Sequence, residues 1–477
     1  MVALKKPAKI SPETFQKKSV GVAFSEITRN NLRLEASSYN IEGRKAFAVL
    51  QSCSYELVPL LDAKNGICQS AYNAFRFKRV FVDEEHGIPF LSSAEIINLY
   101  SKPETFLSKT QTKKIDKLIN KKWEILVSCS GTIGNINLVS PRMEGWALSQ
   151  HIIRISAPTQ DTAGYVAAFL RCPYGQSQLQ SLTYGSVVQH IEPEHLSNVF
   201  IPDLPPILKI HIGHSFVEAA LKRDEANNFL DQATMLLEKI LGMPPLPKTP
   251  KGALISKTRF SDWQGRLDAS YHALCTKMAL TTLQEKSFPI SRLDDPLLSK
   301  KIWAVTKFRK RVYVQHGGIP MLSSKQIFQI APVDIKRLAL GAHIEDMKEI
   351  GLKENLVLVT RSGTNGKVQI IPEYMNGWAG SEHANRIEAT SKEMAGFIYT
   401  WLNSSYGQVL LKRYQYGSVI THIDKDMLSS VPVPILSIED MEKIGSMVLK
   451  ANTLRNEAWQ LEQNALDCLN GEIGGNK

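Results

Sequence analysis

Cysteine is scarce in this sequence, and its few cysteines are not arranged to bind metal. The 477 residues include six, at positions 53, 68, 129, 172, 275 and 468. None forms a Cys-x-x-Cys pair or stands at zinc-finger spacing from a histidine, which excludes the common zinc sites. We predict buried free thiols in a reducing cytosol and no metal site.

Long apolar runs are also missing. No run reaches the roughly 18 apolar residues that a membrane-spanning helix needs. The first residues, MVALKKPAKISPETF, are basic but lack the apolar core of a signal peptide. We therefore expect no membrane span, no signal peptide and a cytoplasmic location.

The sequence contains no catalytic motif with the spacing and context that its chemistry requires. GTNGK at 363–367 lacks the spacing of a phosphate-binding P-loop. No Gly-x-Ser-x-Gly elbow, methyltransferase tetrad or glycine-rich cofactor loop occurs. HIGH at 211–214 copies a synthetase signature but falls inside a predicted long helix. We predict no catalytic residue and no cofactor bound by this chain.

Positive charge, in contrast, is in excess. The chain has 57 Lys and Arg against 46 Asp and Glu, a net charge of +11 and a pI near 9.2. Such a balance favours a polyanionic partner, most simply nucleic acid, because basic side chains release counterions from phosphates. A merely basic soluble protein is the alternative.

The chain contains an internal repeat. With a shift of 232 residues, 126–204 aligns with 358–436 without a gap, and 33 of the 79 pairs are identical. LVSCSGTIGN at 126–135 meets LVTRSGTNGK at 358–367, and Tyr184-Gly185-Ser186-Val187 meets Tyr416-Gly417-Ser418-Val419. The segments 109–124 and 338–355 differ freely. Two copies of one scaffold with different insertions suit two modules that act on different targets.

Each module is followed by a predicted long helix. Residues 207–242 and 437–470 show apolar residues at spacings of three, four and seven, which indicates one apolar stripe per helix. The stripe of the first begins at Ile207 and Ile210 and includes Leu236 and Ile240. We expect the two helices to pair as an antiparallel coiled coil, with a proline-rich linker at 242–250 between the halves.

The sequence resembles the specificity (S) subunit of type I restriction–modification systems. The similar elements occur twice, in the same order, over nearly the whole chain. They are Ser130-Gly131-Thr132-Ile133-Gly134 and Ser362-Gly363-Thr364-Asn365-Gly366, Gln150-His151 and Glu382-His383, the segments around Gly185 and Gly417, and the helix after each proline-rich exit. Where similar proteins often have Glu-Gln, this chain has Leu208-Lys209 and Ser437-Ile438-Glu439-Asp440.

The resemblance implies an α/β (α+β) fold with two tandem target-recognition domains and two long antiparallel helices in pseudo-twofold arrangement. The implied division is 1–204 for the first domain, 205–245 for the central helix, 246–435 for the second domain and 436–477 for the C-terminal helix. It also implies a non-catalytic chain that reads bipartite double-stranded DNA. Two adenine-N6 methyltransferase subunits and restriction subunits would be partners, and these would bind S-adenosylmethionine, ATP and Mg²⁺.

Candidate DNA-binding residues are cations that differ between the modules, together with the Ser-Gly-Thr loops. Arg reads guanine bidentately, whereas Lys mostly holds phosphate. The candidates are Arg76, Lys78, Arg79, Lys113, Lys114, Lys117, Lys121, Lys122, Ser130, Thr132, Lys307, Arg309, Lys310, Arg311, Arg361, Ser362, Thr364 and Lys367.

Several of these positions have a structural alternative. The Ser-Gly-Thr loops could bind phosphate through backbone N–H groups or serve only as tight turns. Arg79 and Arg311 recur and could brace the fold, and the recurrent pairs His151/His383 and His190/His422 favour structure over base contact. An RNA-binding adaptor and an enzyme with an unrecognised duplicated site remain the rival functions.

Overall fold

A computed structural model describes residues 21–29, 34, 39–185, 188–246, 257–263, 265–286, 288–305, 310–315, 317–362, 366–417 and 421–475. The chain divides into two compact units. The first unit comprises Met1–Asp224, Ile330–Val333 and Glu457–Lys477, and the second comprises Glu225–Gln329 and Asp334–Asn456. Of the predicted contact residues, Lys307, Arg309 and Thr364 lie outside the described part.

The described residues of the first unit form ten strands. Its elements are α1 (Phe24–Arg29), α2 (Ile41–Ser52), β1 (Leu57–Pro59), β2 (Ser70–Asn73), β3 (Phe81–Val82), β4 (Gly87–Leu91), β5 (Phe106–Ser108), β6 (Ile125–Ser128), β7 (Ile136–Leu138), β8 (Ala147–Leu148), β9 (Ile152–Ser156), α3 (Gln160–Arg171), α4 (Pro173–Ser181), β10 (Phe200–Pro202) and the first half of α5 (Pro206–Leu241). Its main sheet has the order β2-β9-β6-β7 and is antiparallel throughout. A second sheet, β3-β5-β4-β8, pairs β4 and β8 in parallel, and β1 pairs with β10.

The central strand β6 is buried on both faces because a separate apolar cluster covers each one. Ile125 and Val127 point into a cluster with Phe169 of α3, and Leu126 between them points into a second cluster with Trp146. Alternation of side chains along a strand explains this division. Burial of each such aliphatic side chain contributes about 1.5–3 kcal/mol, so the strand bearing the Ser-Gly-Thr loop is firmly fixed.

The second unit repeats this topology. Its elements are α6 (Leu274–Gln284), β11 (Ile290–Arg292), β12 (Ser299–Ala304), β13 (Tyr313–Val314), β14 (Ile319–Leu322), β15 (Lys336–Leu338), α7 (Leu340–His343), α8 (Met347–Ile350), β16 (Val357–Thr360), β17 (Val368–Ile370), β18 (Ala379–Gly380), β19 (Ala384–Ala389), α9 (Lys392–Asn403), α10 (Ser405–Arg413), α11 (Lys425–Ser429) and β20 (Pro432–Pro434). The sheets have the orders β12-β19-β16-β17, β13-β15-β14-β18 and β11-β20. The predicted duplication is therefore confirmed strand by strand.

Two long helices follow the domains, as predicted. They are α5 and α12 (Ile438–Gly474). In the first unit, Lys222 of α5 bonds to Glu457 of α12 at 2.7 Å. In the second unit, the Lys450 ammonium of α12 lies 4.4 Å from the ring centre of Phe229 of α5. From the first contact to the second, the position in α5 rises from 222 to 229, whereas the position in α12 falls from 457 to 450. The two helices are therefore antiparallel.

The predicted stripe of α5 was partly wrong. Ile207 and Ile210 are 81% and 54% exposed, whereas Ile212 is fully buried. Towards the other end, Leu237 and Leu241 are buried in place of the expected Leu236 and Ile240, which are half-buried. Neighbouring apolar residues fit two adjacent stripes equally well, and only the packed partner decides between them.

The HIGH sequence at 211–214 belongs to a close helix crossing. A Cβ atom on Gly213 would lie 1.9 Å from the carbonyl oxygen of Asp161 at the start of α3, and one on Gly164 would lie 2.1 Å from that of Gly213. In the second unit, a Cβ atom on Gly445 of α12 would lie 1.9 Å from the carbonyl oxygen of Glu393 in α9. The glycines are required because backbone touches backbone at both crossings.

The compact units do not follow the order of the chain, because each takes one half of each long helix. The division into domains 1–204 and 246–435 with separate helical segments 205–245 and 436–477 stays a prediction. Within the described residues, no helix has the combination of length and apolar character that a bilayer crossing requires.

Candidate nucleic-acid interface

The Ser-Gly-Thr loop of the first unit connects β6 to β7 as a tight, internally bonded turn. Gly131 and Gly134 adopt φ values of 75° and 89°, a region that favours glycine. The Ser128 hydroxyl donates to the Thr132 carbonyl at 2.6 Å and accepts from the Asn135 N–H at 3.0 Å. This geometry supports the turn interpretation. Thr132, which is exposed, is the loop side chain best placed to meet a ligand.

The recurrent Tyr-Gly-Gln sequence braces this loop. The Gln176 amide donates to the carbonyls of Gly134 at 2.8 Å and Leu170 at 2.7 Å, and so ties the loop to the end of α3. Gly175 must be glycine because a Cβ atom there would lie 2.0 Å from the Phe169 carbonyl oxygen. In the second unit, the Gln408 amide likewise donates to the Gly366 carbonyl at 2.9 Å. Sequence comparison marked these residues as recurrent but not as loop supports.

A second short loop lies beside the first. Tyr184 and His190 exchange backbone hydrogen bonds of 2.9 and 2.8 Å, and the Ile191 N–H donates to the Cys129 carbonyl at 3.0 Å. In the second unit, Ser362 Oγ lies 3.0 Å from His422 Nδ1. The recurrent histidines 190 and 422 thus hold two loops together, in line with the structural reading.

Arg79 reaches the edge of these loops. Its Nη2 atom donates to Ser149 Oγ at 3.3 Å and to Gln150 Oε1 at 3.4 Å. Burial lowers the pKa of the adjacent His151, and the positive charge of the nearby Arg79 lowers it further. The structure therefore brings together Arg79, Gln150, His151 and the Ser-Gly-Thr loop, and no carboxylate of the described residues neutralises Arg79.

The equivalent arginine of the second unit has a carboxylate partner. Arg311 forms an ion pair with Glu382, whose Oε1 atom also lies 3.9 Å from His383 Nε2. The Arg361 N–H donates to the His383 carbonyl at 2.8 Å, which joins this group to the loop. The same scaffold therefore presents a net cation around Arg79 and a neutralised pair around Arg311.

The loops themselves also differ in charge. Position 129 is a buried cysteine in the first unit, whereas the equivalent Arg361 is half-buried and charged. Asn135 is likewise replaced by Lys367. Burial raises the pKa of the Cys129 thiol to about 12, so it stays protonated and is no nucleophile. The second loop therefore has two cations where the first has none.

The lysine-rich insertion of the first unit is fixed to the main sheet by a buried arginine. Arg154, 1% exposed, donates to the carbonyls of Ile119 at 2.7 Å and Lys117 at 2.6 Å. Its guanidinium also stacks 4.2 Å from the ring centre of Tyr72. Burial lowers the Arg154 pKa, although Tyr72 and Glu124 oppose this effect.

Arg386 is the equivalent arginine of the second unit, but its main partners differ. It is fully buried and donates to Ala384 and Gly380 of the repeated scaffold, both at 2.8 Å, and to Ile350 of the variable segment at 3.5 Å. Burial lowers the Arg386 pKa to about 10, so the side chain stays charged at neutral pH. Sequence alignment paired these two arginines without revealing that Arg154 anchors the lysine-rich insertion.

The other predicted cations lie on the surface. Arg76 and Lys78 lie with Arg79 in the segment between β2 and β3, and Lys310 and Arg311 precede β13. Those of the insertion follow β5 or directly precede β6: Lys113, Lys114, Lys117, Lys121 and Lys122. All of these side chains are exposed. Their contact with DNA stays a prediction.

Exposed aromatic rings beside these cations were missed. Phe75 and Phe81 are 39% and 45% exposed, and Phe81 packs on the buried Phe90 with 5.7 Å between ring centres. Tyr313, at the position equivalent to Phe81, is 40% exposed. The alternation FRFKRVF at 75–81 was the available signal, since interleaved aromatic and basic residues suit nucleic acid.

Among the described residues, no group of three or more His, Cys, Asp or Glu side chains could hold a metal ion. All six cysteines are free thiols, and three of them, Cys68, Cys129 and Cys172, are buried as expected. Cys53, Cys275 and Cys468 are only half-buried, contrary to the expectation.

Comparison with known proteins agrees with the resemblance read from the motifs. Residues 65–210 match the family model of the type I restriction modification DNA specificity domain. The matched range includes the Ser-Gly-Thr loop, Gln150-His151 and the start of α5. The first unit therefore contains a segment that is similar to a DNA specificity domain. The internal repeat and the shared sheet topology give the second unit the same fold.

The solved structures that match this chain include two specificity subunits. The S subunit from M. genitalium is 13% identical, with 87% of this chain and 98% of that one covered and a TM-score of 0.29. The HsdS subunit from Thermoanaerobacter tengcongensis is 12% identical, with 85% and 95% covered and a TM-score of 0.26. No curated protein sequence matches the chain.

Proposed function

We propose that this chain is the sequence-specificity subunit of a type I restriction–modification complex or a related phage-defence complex. Each unit reads one half of a bipartite double-stranded DNA target. The chain itself catalyses nothing. Two adenine-N6 methyltransferase subunits and restriction subunits bind to it and hold S-adenosylmethionine, ATP and Mg²⁺.

One observation supports this proposal above the others: a single scaffold occurs twice with different chemistry at equivalent positions in and beside its Ser-Gly-Thr loops. The pairs Cys129/Arg361, Asn135/Lys367 and Gln150/Glu382 change charge while the backbone that presents them is retained. A duplicated enzyme would keep its reactive groups in both copies. Two readers of different half-sites need the same frame and different side chains, because base edges are told apart by donors, acceptors and charge.

Domain exchange tests the proposal. Residues 1–204 are replaced by the first domain of another specificity subunit, and adenine methylation is mapped genome-wide in cells that also express the methyltransferase partner. We expect one half of the methylated sequence to change, with the other half and the spacer retained. Methylation that is unchanged, or lost equally at all sites when the hybrid is folded, would contradict it.

Salt dependence gives a second test with the purified complex. We expect log K for duplex DNA to fall linearly with log salt, with a slope of about −0.9 per phosphate contacted. Duplex RNA of the same sequence serves as competitor. Equal binding of RNA would favour the adaptor function instead.

A further inference from the structure

A buried ion triad joins three helices within the first unit. Glu462 of α12 accepts from Arg223 of α5 through both carboxylate oxygens, each at 2.6 Å. Its Oε1 atom also lies 2.6 Å from Arg171 Nη1 at the end of α3. The side chains of Glu462, Arg223 and Arg171 are only 3%, 7% and 10% exposed.

The two arginines of the triad stabilise the ionised form of Glu462. Burial alone would raise the pKa of Glu462, but the charges of Arg171 and Arg223 and their hydrogen bonds outweigh it and hold the pKa at about 2. Arg171 is further supported by Phe216, whose ring centre lies 5.1 Å from the guanidinium carbon. Buried ion pairs of this kind add little net stability compared with apolar packing, so their retention needs another reason.

The second unit lacks the triad although its scaffold is equivalent. A shift of 232 residues relates Arg171 to Asn403, Arg223 to Arg455, and Leu230 to Glu462. Leu230 is 2% exposed, so an apolar side chain fills the position that Glu462 occupies. Arg455, 1% exposed, donates to Asn452 Oδ1 at 3.4 Å and also forms a hydrogen bond with the Tyr399 hydroxyl.

The contact of Glu462 in the first unit is therefore ionic, whereas the equivalent contact of Leu230 in the second unit is apolar. Apolar packing is non-directional and tolerates small rotations and shifts of a helix. A carboxylate with both oxygens engaged by two guanidinium groups is directional, because a shift of about 1 Å breaks charge-assisted hydrogen bonds in a buried place. In the second unit, the apolar Leu230 stands at the position of the carboxylate that makes the directional contact in the first.

We infer that Glu462 is a specificity residue for spacer length. The triad holds the second half of α12 in a single position on α3 and α5, and so fixes the distance that the two long helices impose between half-sites. This inference rests on the proposed function, in which those helices set the spacer. Glu462 acts through Arg171 and Arg223 and is a positioning residue that touches no DNA.

The test replaces the whole triad with apolar side chains of similar volume, Arg171→Met, Arg223→Met and Glu462→Leu together. The matched control is Lys222→Gln with Glu457→Gln, which removes the exposed ion pair between the same two helices. Full-length chains in complex with the methyltransferase subunits are measured on duplexes whose spacer is correct, one base pair shorter or one longer. Hydrogen exchange of residues 457–474 is followed on the same samples without DNA.

We expect wild type and the control to prefer the correct spacer equally. In the apolar variant, the ratio of affinity for the correct spacer to affinity for an altered spacer should fall about tenfold, an effect comparable to one mismatched base pair. Its affinity for the correct spacer should stay near that of wild type. Amide exchange in 457–474 should become faster in that variant alone. Unchanged spacer preference together with unchanged exchange would overturn the inference.

A second variant covers the case in which the apolar triple variant does not fold. Leu230→Glu places a carboxylate at the position equivalent to Glu462, opposite Arg455, and should slow exchange in 438–456 and sharpen spacer preference. No change in either quantity would again overturn the inference. A wild-type complex that shows no spacer preference would instead refute the proposed function, while the exchange measurement would still decide whether the triad fixes α12.

Discussion

At the scale of single residues, recurrence in the sequence marked important positions but not their roles. Arg154 and Arg386 were visible as a repeated pair, yet Arg154 bonds to carbonyl groups of the first insertion, whereas Arg386 bonds mainly to carbonyl groups of the repeated scaffold. Gln176 likewise bonds to a loop 42 residues earlier in the chain. A pattern of side chains cannot reveal backbone partners, because every residue offers the same carbonyl.

Arg154→Met tests this anchoring. The change leaves the carbonyls of Lys117 and Ile119 unpaired, and we expect about 1–3 kcal/mol of lost stability. Urea unfolding measures it, and weaker DNA binding should accompany it because the lysine-rich insertion is released. Arg76→Met is the control, since Arg76 is exposed and should leave the unfolding midpoint unchanged. Equal midpoints for both variants would contradict the role.

Phe81→Ala tests the exposed rings. An exposed ring can contact a thymine methyl group in the major groove of duplex DNA, so we expect DNA affinity to fall several-fold without a change in the salt slope. Phe81→Tyr should restore affinity because the equivalent Tyr313 has this side chain. Phe260→Ala, an exposed ring on Trp263, is the control. If Phe260→Ala weakens DNA binding as much as Phe81→Ala does, Phe81 makes no specific contact with DNA.

At the scale of elements, the sequence predicted both long helices and their antiparallel pairing, but not the face that packs. Periodicity placed Ile207 and Ile210 in the stripe, and the structure exposes them. The glycine of HIGH shows why. Contact between α5 and α3 is set by backbone approach at Gly213, and an absent side chain leaves no mark in an apolar pattern.

The crossing glycines give a prediction about stability. Gly213→Ala and Gly445→Ala each place a Cβ atom 1.9 Å from a carbonyl oxygen of the neighbouring helix, so the helices must separate. Overpacking of this kind costs about 1–3 kcal/mol or more. Gly471→Ala in α12 meets nothing within 4 Å and should stabilise by up to about 1 kcal/mol. Thermal unfolding of the three variants measures the difference, and the opposite order would refute the crossing.

The triad predicts how stability depends on pH. The folded pKa of Glu462 is about 2, below the ordinary value of 4.5, so its contribution is complete above pH 4.5 and is lost as pH falls towards 2. Urea unfolding at several pH values should show this loss in wild type. The apolar triad variant should lack that component, and an identical acid response of both chains would contradict the assignment.

At the scale of the whole molecule, duplication and fold class were predictable because both rest on repeated pattern. Charge differences such as Cys129 against Arg361 were also visible in the aligned sequences. The compact units were not, since the first contains residues from both ends of the chain. Its core includes Ala465, Leu469 and Ile473 of α12 beside Phe169 of α3. Chain order contains no sign of such sharing.

Removal of residues 457–477 tests this sharing. The deletion takes Glu462 and the three apolar side chains from the core of the first unit, so that unit should unfold at lower denaturant although residues 1–224 are intact. Hydrogen exchange resolved along the chain separates the two units. Protection in residues 125–170 equal to that of the full chain would show that the C-terminal helix is dispensable there.

The segment that completes the core of the first unit is synthesised more than two hundred residues after the sheets that it covers. During synthesis, residues 1–224 therefore lack Ala465, Leu469 and Ile473 of α12 as packing partners until residues 457–474 have emerged. We expect the new chain to keep this unit partly open until then. A chain interrupted before this segment would present apolar surface that folding quality control can recognise.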